Sequence, residues 1–196
     1  PPFLNSLLYD DFLSAKSEIL KYALIFDIFF WKELSKNSLE DISYLRKILT
    51  KCIKIKIDIV SQDYYDYNHR KILNFGHSIA HAVEATFLEK NTIISHGFSL
   101  FIGLLCESHI SHKVCKLSKS SLIDIEQKIL QIFPLINLTS EYDNCIIKYL
   151  KSDKKNQNGN FYFTLLNEIG DAIINCKVSL DDIFNSLKYY RKLCQM

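Results

Sequence analysis

The sequence predicts a mainly α, multi-helix domain that carries one small β-hairpin near its C-terminus. Apolar residues recur every three or four positions through most of the stretch up to Lys151, the period of helices with one buried face. The polar run Asp153 to Asn160 ends that pattern, and two short β-rich runs follow around Gly170-Asp171. With 196 residues the chain suits one compact domain over 1–196. A domain of that size buries roughly 70% of its unfolded surface and needs no staples.

Each element follows from its own residues. Residues 8 to 36 read as one helix, with Leu20, Ala23, Leu24, Phe26, Ile28 and Trp31 on its apolar faces. Ser38, followed three positions later by Asp41, has the form of a capping box and starts a second helix that ends near Gln62. The polar, tyrosine-rich stretch Asp63 to His69 reads as a loop. A helix from near Phe75 to Leu88 buries Ile79, Val83 and Phe87. Another runs from His96 to about Lys116, and its Gly103 permits close approach by a neighbour. Two more are expected at 119–132 and 140–151. Phe161–Leu166 and Ala172–Ile174 read as the two strands, and Ser179 with Asp182 caps a last helix reaching Leu193.

Composition narrows the function classes. A 48% hydrophobic and 23% charged content describes a folded globular protein. A net charge of +2 sets up no field suited to nucleic acid, so no nucleic-acid partner is expected. The apolar stretch Tyr22–Trp31 is interrupted by Asp27 and is too short to span a bilayer, and no secretory leader is visible, so no membrane partner is expected either. The six cysteines lie far apart with no C-x-x-C pair and read as reduced, buried thiols of a cytoplasmic protein. The chain opens on Pro1, which suggests that it starts inside a longer product or was processed.

The chemistry concentrates in residues 70 to 97. Three of the six histidines fall there, beside Arg70 and Asn74. His77 and His81 stand four apart, which puts them on one helix face, a common chelating geometry. Gly76 lets a backbone or ligand approach the helix N-terminus, where free N–H groups favour anions. Arg70 and Asn74 present donors toward the same place. The plainer alternative is a helix start with capping side chains and satisfied histidines. Glu18 and Lys21 share a helix face at i, i+3, which on a surface makes only a weak ion pair, about 0.2–0.5 kcal/mol. His109 with His112 reads as part of a helix surface or core, and Lys154-Lys155 as a solvated turn.

The run Asn74 to Glu84, Asn-Phe-Gly-His-Ser-Ile-Ala-His-Ala-Val-Glu, resembles the "LNFGHT-x-GHAIE" segment of the 3-dehydroquinate synthases. Glu18 to Ile25 resembles their "AE-x-IKY-x-LI" helix, His96-Gly97 their "HGE" motif and Asp153 to Asn156 their "DKKN" turn. The four motifs stand in family order and span essentially the whole chain. The resemblance implies that Glu18, His77 and His96 are the protein ligands of a divalent metal, zinc or cobalt, leaving an open position. It implies that Arg70, Asn74, Lys154 and Lys155, with Lys21 and His81 at the reacting centre, hold the phosphate and carboxylate of a small sugar-acid phosphate. His81 would then contact substrate, not metal. The implied reaction is the NAD- and metal-dependent phosphate elimination and cyclisation of 3-deoxy-D-arabino-heptulosonate 7-phosphate to 3-dehydroquinate, in the shikimate pathway. The family habit is a homodimer.

Departures from the family pattern set further expectations. Ala15 stands where the family usually has Gly, and Ala80 replaces the second Gly of "GHT-x-GH". Phe98 replaces the Glu after His-Gly, and so is expected to deprive His96 of an acidic partner and lower efficiency. The family's N-terminal α/β nucleotide-binding domain has no counterpart in the chain, which contains five glycines and no G-x-G-x-x-G run, so NAD would be bound mainly elsewhere. Two alternatives follow: another sugar-phosphate cyclase of the same superfamily, or a decayed, non-catalytic helical module.

Overall fold

The computed structural model describes residues 8–153, 156 and 160–195. In chain order the helices are α1 (Tyr9–Phe26), α2 (Ile28–Lys36), α3 (Ile42–Gln62), α4 (His77–Glu89), α5 (His96–Val114), α6 (Lys119–Ile132), α7 (Asp143–Ser152) and α8 (Leu180–Leu193). Short 3-10 turns cover His69–Asn74 and Ser140–Tyr142. The strands β1 (Phe161–Glu168) and β2 (Asp171–Val178) precede α8 and pair antiparallel. No helix among the described residues is long and apolar enough to cross a membrane.

The sequence Phe-Ser-Leu-Phe-Ile-Gly-Leu-Leu-Cys is apolar on every side of a helix, so α5 must be enclosed. It forms the axis of the fold, packed on by α1, α4, α6, α8 and β1. Gly103 is where α4 comes closest: a Cβ there would lie 1.9 Å from the Gly76 carbonyl oxygen. The hairpin lies against the 3-10 turn at His69–Asn74, where Thr164 Oγ1 donates to the Lys71 carbonyl at 2.8 Å. Arg191 of α8 grips Asp143 of α7 with two hydrogen bonds of 2.7 and 3.0 Å, and Trp31 Nε1 ties α2 to Asp124 of α6 at 2.6 Å.

Several boundaries differ from the sequence reading. The single helix expected over residues 8 to 36 is two, because Asp27 is extended (φ −161°, ψ 123°) and caps α2 by accepting from the Phe29 N–H. The cause is tertiary. The Leu24 carbonyl, which a continuous helix would satisfy from Ile28, accepts instead from Gly170 N–H at 2.7 Å. Gly170 (φ +91°) seats the hairpin turn in the break, where a Cβ would lie 2.5 Å from Ile28 N. The residues between the strands are therefore Ile169-Gly170, with Asp171 already paired to Glu168, and both strands run longer than expected. At α3 the cap is Asp41 itself, which accepts from Ser43 and Tyr44 N–H, while Ser38 serves the preceding turn by accepting from Glu40 N–H. The Ser179–Asp182 capping box at α8 forms as read. All six thiols are free.

His109 of α5 is 7% exposed and stacks on Tyr189 of α8, ring centroids 4.1 Å apart. Burial pulls its pKa from 6.5 down to about 4, assisted by Lys113, His112 and Lys119. The unfolded chain therefore binds a proton between those values that the folded chain refuses, so stability is full above about pH 6.5 and falls as pH drops toward 4. His109→Phe keeps the stacking and removes the titration. Urea unfolding midpoints measured across that window are expected to flatten in the variant relative to the parent.

Candidate metal centre and anion cleft

Three helix segments meet at Glu18. It lies in the middle of α1, one turn before Lys21, whose Nζ sits 2.7 Å from Glu18 Oε2. This is not the weak surface pair that spacing alone allows, since Lys21 is 4% exposed. His77 opens α4 and brings Nε2 to 3.3 Å from Glu18 Oε1. His96 opens α5 and brings its Nε2 to 3.5 Å from the same oxygen. One ligand atom from each of Glu18, His77 and His96 lies within 4.8 Å of the others, a carboxylate and two imidazoles converging on one point.

Local backbone chemistry explains the convergence. Gly76 adopts φ +82°, a left-handed turn open to glycine, and so directs the chain from the 3-10 turn into α4 with His77 first in the helix. Gly97 lets α5 touch α1: a Cβ there would lie 2.6 Å from the Ser14 backbone nitrogen. The Gly97 N–H instead donates to Ser14 Oγ at 3.0 Å, which fixes the start of α5 and with it His96. The His-Gly pair is thus one candidate ligand and the contact that places it.

Both histidines are oriented through their second nitrogen. His77 Nδ1 lies 3.2 Å from the Phe75 carbonyl, and His96 Nδ1 lies 2.7 Å from Glu84 Oε1. With Nδ1–H donating in each, both rings turn Nε2 toward Glu18. Glu84 corrects the expectation drawn from Phe98. His96 does have an acidic partner, supplied from α4, while Phe98 packs its ring against Phe133. Nothing about Glu84 in the sequence assigned it that role, although it closes the run that carries His77 and His81.

The charges are strongly coupled. Burial opposes ionisation of Glu18, but hydrogen bonds with His77 and His96 and the Lys21 ammonium outweigh it and hold the carboxyl far below its usual range. His96, hydrogen-bonded to Glu18 and Glu84, is pushed up to about 9. Burial pulls the Lys21 ammonium down, opposed by Glu18. The Glu18 carboxylate and the two imidazoles are a donor set suited to a divalent cation, which would take the place of the His96 proton, with Glu84 behind His96. The carboxylate and two nitrogens leave coordination positions open.

The centre opens into a cleft of about 580 Å³ between α1, α3 and the 3-10 turn. Glu18, Lys21, Tyr22, Lys56, Asp66, Arg70, Asn74 and His77 supply its polar wall. Lys56 was not singled out in the sequence, where it is one of several lysines along α3. Arg70 is held by Asp63, whose carboxylate accepts from the N–H groups of Tyr67, Asn68 and Arg70, and Arg70 Nη1 donates to the Tyr64 carbonyl at 2.9 Å. Asn74 also borders a second recess of about 400 Å³ with Ser78, His81, Tyr149, Ser152 and Asp153. His81 is exposed there, its ring centroid 5.4 Å from that of His77, and it does not belong to the ligand cluster. Lys154 and Lys155 lie outside the described residues.

The family described as 3-dehydroquinate synthase C-terminal matches residues 15–156. A 3-dehydroquinate synthase from Parabacteroides distasonis is 32% identical over 97% of this chain and 54% of its own length. One from Campylobacter fetus is 31% identical over 96% of the chain and 54% of its own length. The chain thus spans about half the length of the curated relatives it matches. Among solved structures, 2-epi-5-epi-valiolone synthase from Streptomyces hygroscopicus, with NAD+ and Zn2+ bound, superposes with a TM-score of 0.82 at 20% identity, over 98% of this chain and 54% of that one. A 2-deoxy-scyllo-inosose synthase complexed with carbaglucose-6-phosphate, NAD+ and Co2+ gives 0.69 at 20% identity, over 90% and 51%. At those identities the two structures show a shared fold.

Glu84→Gln keeps the size of the side chain but removes the charge that orients His96. Zinc affinity by competition with a chromophoric chelator is expected to fall roughly 10–100-fold, the usual effect of losing such a partner. Unchanged affinity would leave His96 oriented by something other than Glu84.

Proposed function

Since the chain belongs to the 3-dehydroquinate synthase C-terminal family, we propose that it is the metal- and substrate-binding half of a 3-dehydroquinate synthase. The observation that carries this is the Glu18–His77–His96 donor cluster opening onto a cleft walled by Lys21, Lys56 and Arg70. A zinc or cobalt ion there would polarise adjacent substrate hydroxyls, while NAD, held mainly by the rest of the protein, would take up and return hydride.

The chain's own residues supply binding, orientation and proton handling. Arg70 offers a planar fork of donors suited to a carboxylate or phosphate, and Asp63 fixes its backbone against the cleft. Lys56 adds a second cation to the same wall. Lys21 is the buried one. Its 2.7 Å pair with Glu18 places an ammonium beside the metal ligands, so a substrate oxygen held there meets both a cation and a proton donor. Asn74 borders both recesses and can reach a substrate that bridges them. His81, with Lys154 and Lys155 following Asp153 in sequence, serves the phosphate end, where an imidazole can give or accept the proton of the leaving group.

A second reading keeps the site and changes the substrate: another sugar-phosphate cyclase, as the solved valiolone and inosose synthases illustrate for the fold. The cationic wall of Lys21, Lys56 and Arg70 favours a substrate with a carboxylate as well as a phosphate. Turnover by the complete gene product of a seven-carbon keto-acid phosphate, compared with sedoheptulose 7-phosphate, separates the two.

In a zinc titration the chain is expected to bind one tight equivalent, lost in Glu18→Ala and in His77→Ala. His81→Ala is expected to keep the metal and weaken phosphate binding. Loss of metal in His81→Ala but not in His96→Ala would overturn the ligand assignment. Arg70→Ala should weaken binding of the substrate anion by about 1.5–3 kcal/mol, the range for hydrogen bonds to charged groups. Equal affinity by calorimetry would remove Arg70 from the site.

A further inference from the structure

We propose that Glu107 is a positioning residue of the metal centre, acting from the buried interior of α5 on the first turn of α4 to set the direction of His77. The inference rests on the metal-binding reading above.

Glu107 is fully buried, with 0% exposure. Its Oε2 accepts from the Gly76 N–H at 2.7 Å and its Oε1 from the Ile79 N–H at 3.1 Å. Gly76 is the N-cap of α4 and, as glycine, has no side chain with which to cap it. A helix start leaves N–H groups unsatisfied, and here α4 is buried against α5, away from water. Glu107 supplies from another helix the acceptors that a capping side chain would supply locally.

The two hydrogen bonds bracket His77. One holds the residue before it and the other the residue two after it, so its Cα–Cβ direction is fixed from both sides. Gly103 sets the distance, because the Gly76 carbonyl rests on it with no room for a side chain. One helix therefore does two things. Its first residue, His96, contributes a ligand, and its buried Glu107 clamps the backbone that carries another. Ligand geometry has to hold within about 0.5 Å to be productive. The His77 ring contacts to the Phe75 carbonyl and Glu18 leave the Gly76 and Ile79 N–H groups to Glu107.

The test uses Glu107→Gln in the full chain, with Ser108→Ala as the control. Gln keeps the volume but turns an NH2 toward one of the two N–H groups. Ser108 is equally buried on α5, and its Oγ has no hydrogen-bond partner among the described residues. In metal-free protein, the Gly76 and Ile79 amides of Glu107→Gln are expected to exchange at least about 10-fold faster and the His77 ring resonances to move, with the amides of α8 unchanged. Zinc affinity should fall roughly 10–100-fold, as when a group that orients a ligand is lost. The visible bands of the cobalt form should shift, while Ser108→Ala leaves affinity and bands as in the parent. Parental affinity, cobalt spectrum and exchange in Glu107→Gln would overturn the proposal, as would equal metal defects in both variants. A parent chain that binds no zinc refutes the metal reading. The metal-free exchange and the His77 resonances then decide on Glu107 alone. If Glu107→Gln does not fold, exchange in the parent decides: Gly76 and Ile79 amides as slow as the α5 interior support the clamp, and fast exchange refutes it.

Discussion

Backbone contact between α5 and its two neighbours is the constraint on which the rest of the structure depends. Gly97 admits α1 and Gly103 admits the turn into α4, each at a distance where one added carbon would collide with main-chain atoms. Interiors are packed too densely to absorb such a collision without moving an element. Because α1 carries Glu18, α4 carries His77 and α5 carries His96, the same two contacts that close the core also bring the three candidate ligand atoms together. Stability and site geometry are consequences of one packing arrangement.

Electrostatics then has to be satisfied at a place fixed by packing. Glu18 is shared by two imidazoles and the Lys21 ammonium, and Glu84 stands behind His96. A buried lysine and partly buried carboxylates are costly to desolvate, and each is compensated here by a partner of opposite charge or by a hydrogen bond. The cations of the cleft wall differ in how they are held. Lys21 is buried against Glu18, Arg70 is tied through Asp63 and Tyr64, and Lys56 stands exposed on α3. The three cations of one wall thus run from buried and paired to exposed.

The fold was largely legible because its signals are local. The apolar period marks α3 and α4, the continuous apolar run marks α5, and the Ser179–Asp182 capping box marks where α8 starts. Two features escaped for one reason. The break at Asp27 and the hairpin turn at Ile169-Gly170 are a single event, a hydrogen bond from Gly170 to the Leu24 carbonyl. No window of sequence contains both partners. In the site, Lys21, His77 and His96 converge on Glu18, but the groups that orient them went unread. Glu84, Asp63 and Glu107 are ordinary acidic residues until the chain places an N–H before each.

By itself, then, the sequence determined the helical class, the hairpin and the family, and through the family's motifs it named the candidate ligands, because periodicity, caps and motifs are properties of neighbours along the chain. Tertiary structure alone decided that Lys21 is buried and paired, that His96 has Glu84 despite Phe98, that His81 faces a second recess, and that α5 holds the turn before His77. Those facts depend on distances between residues remote in sequence, and such distances are set only when the core packs around α5.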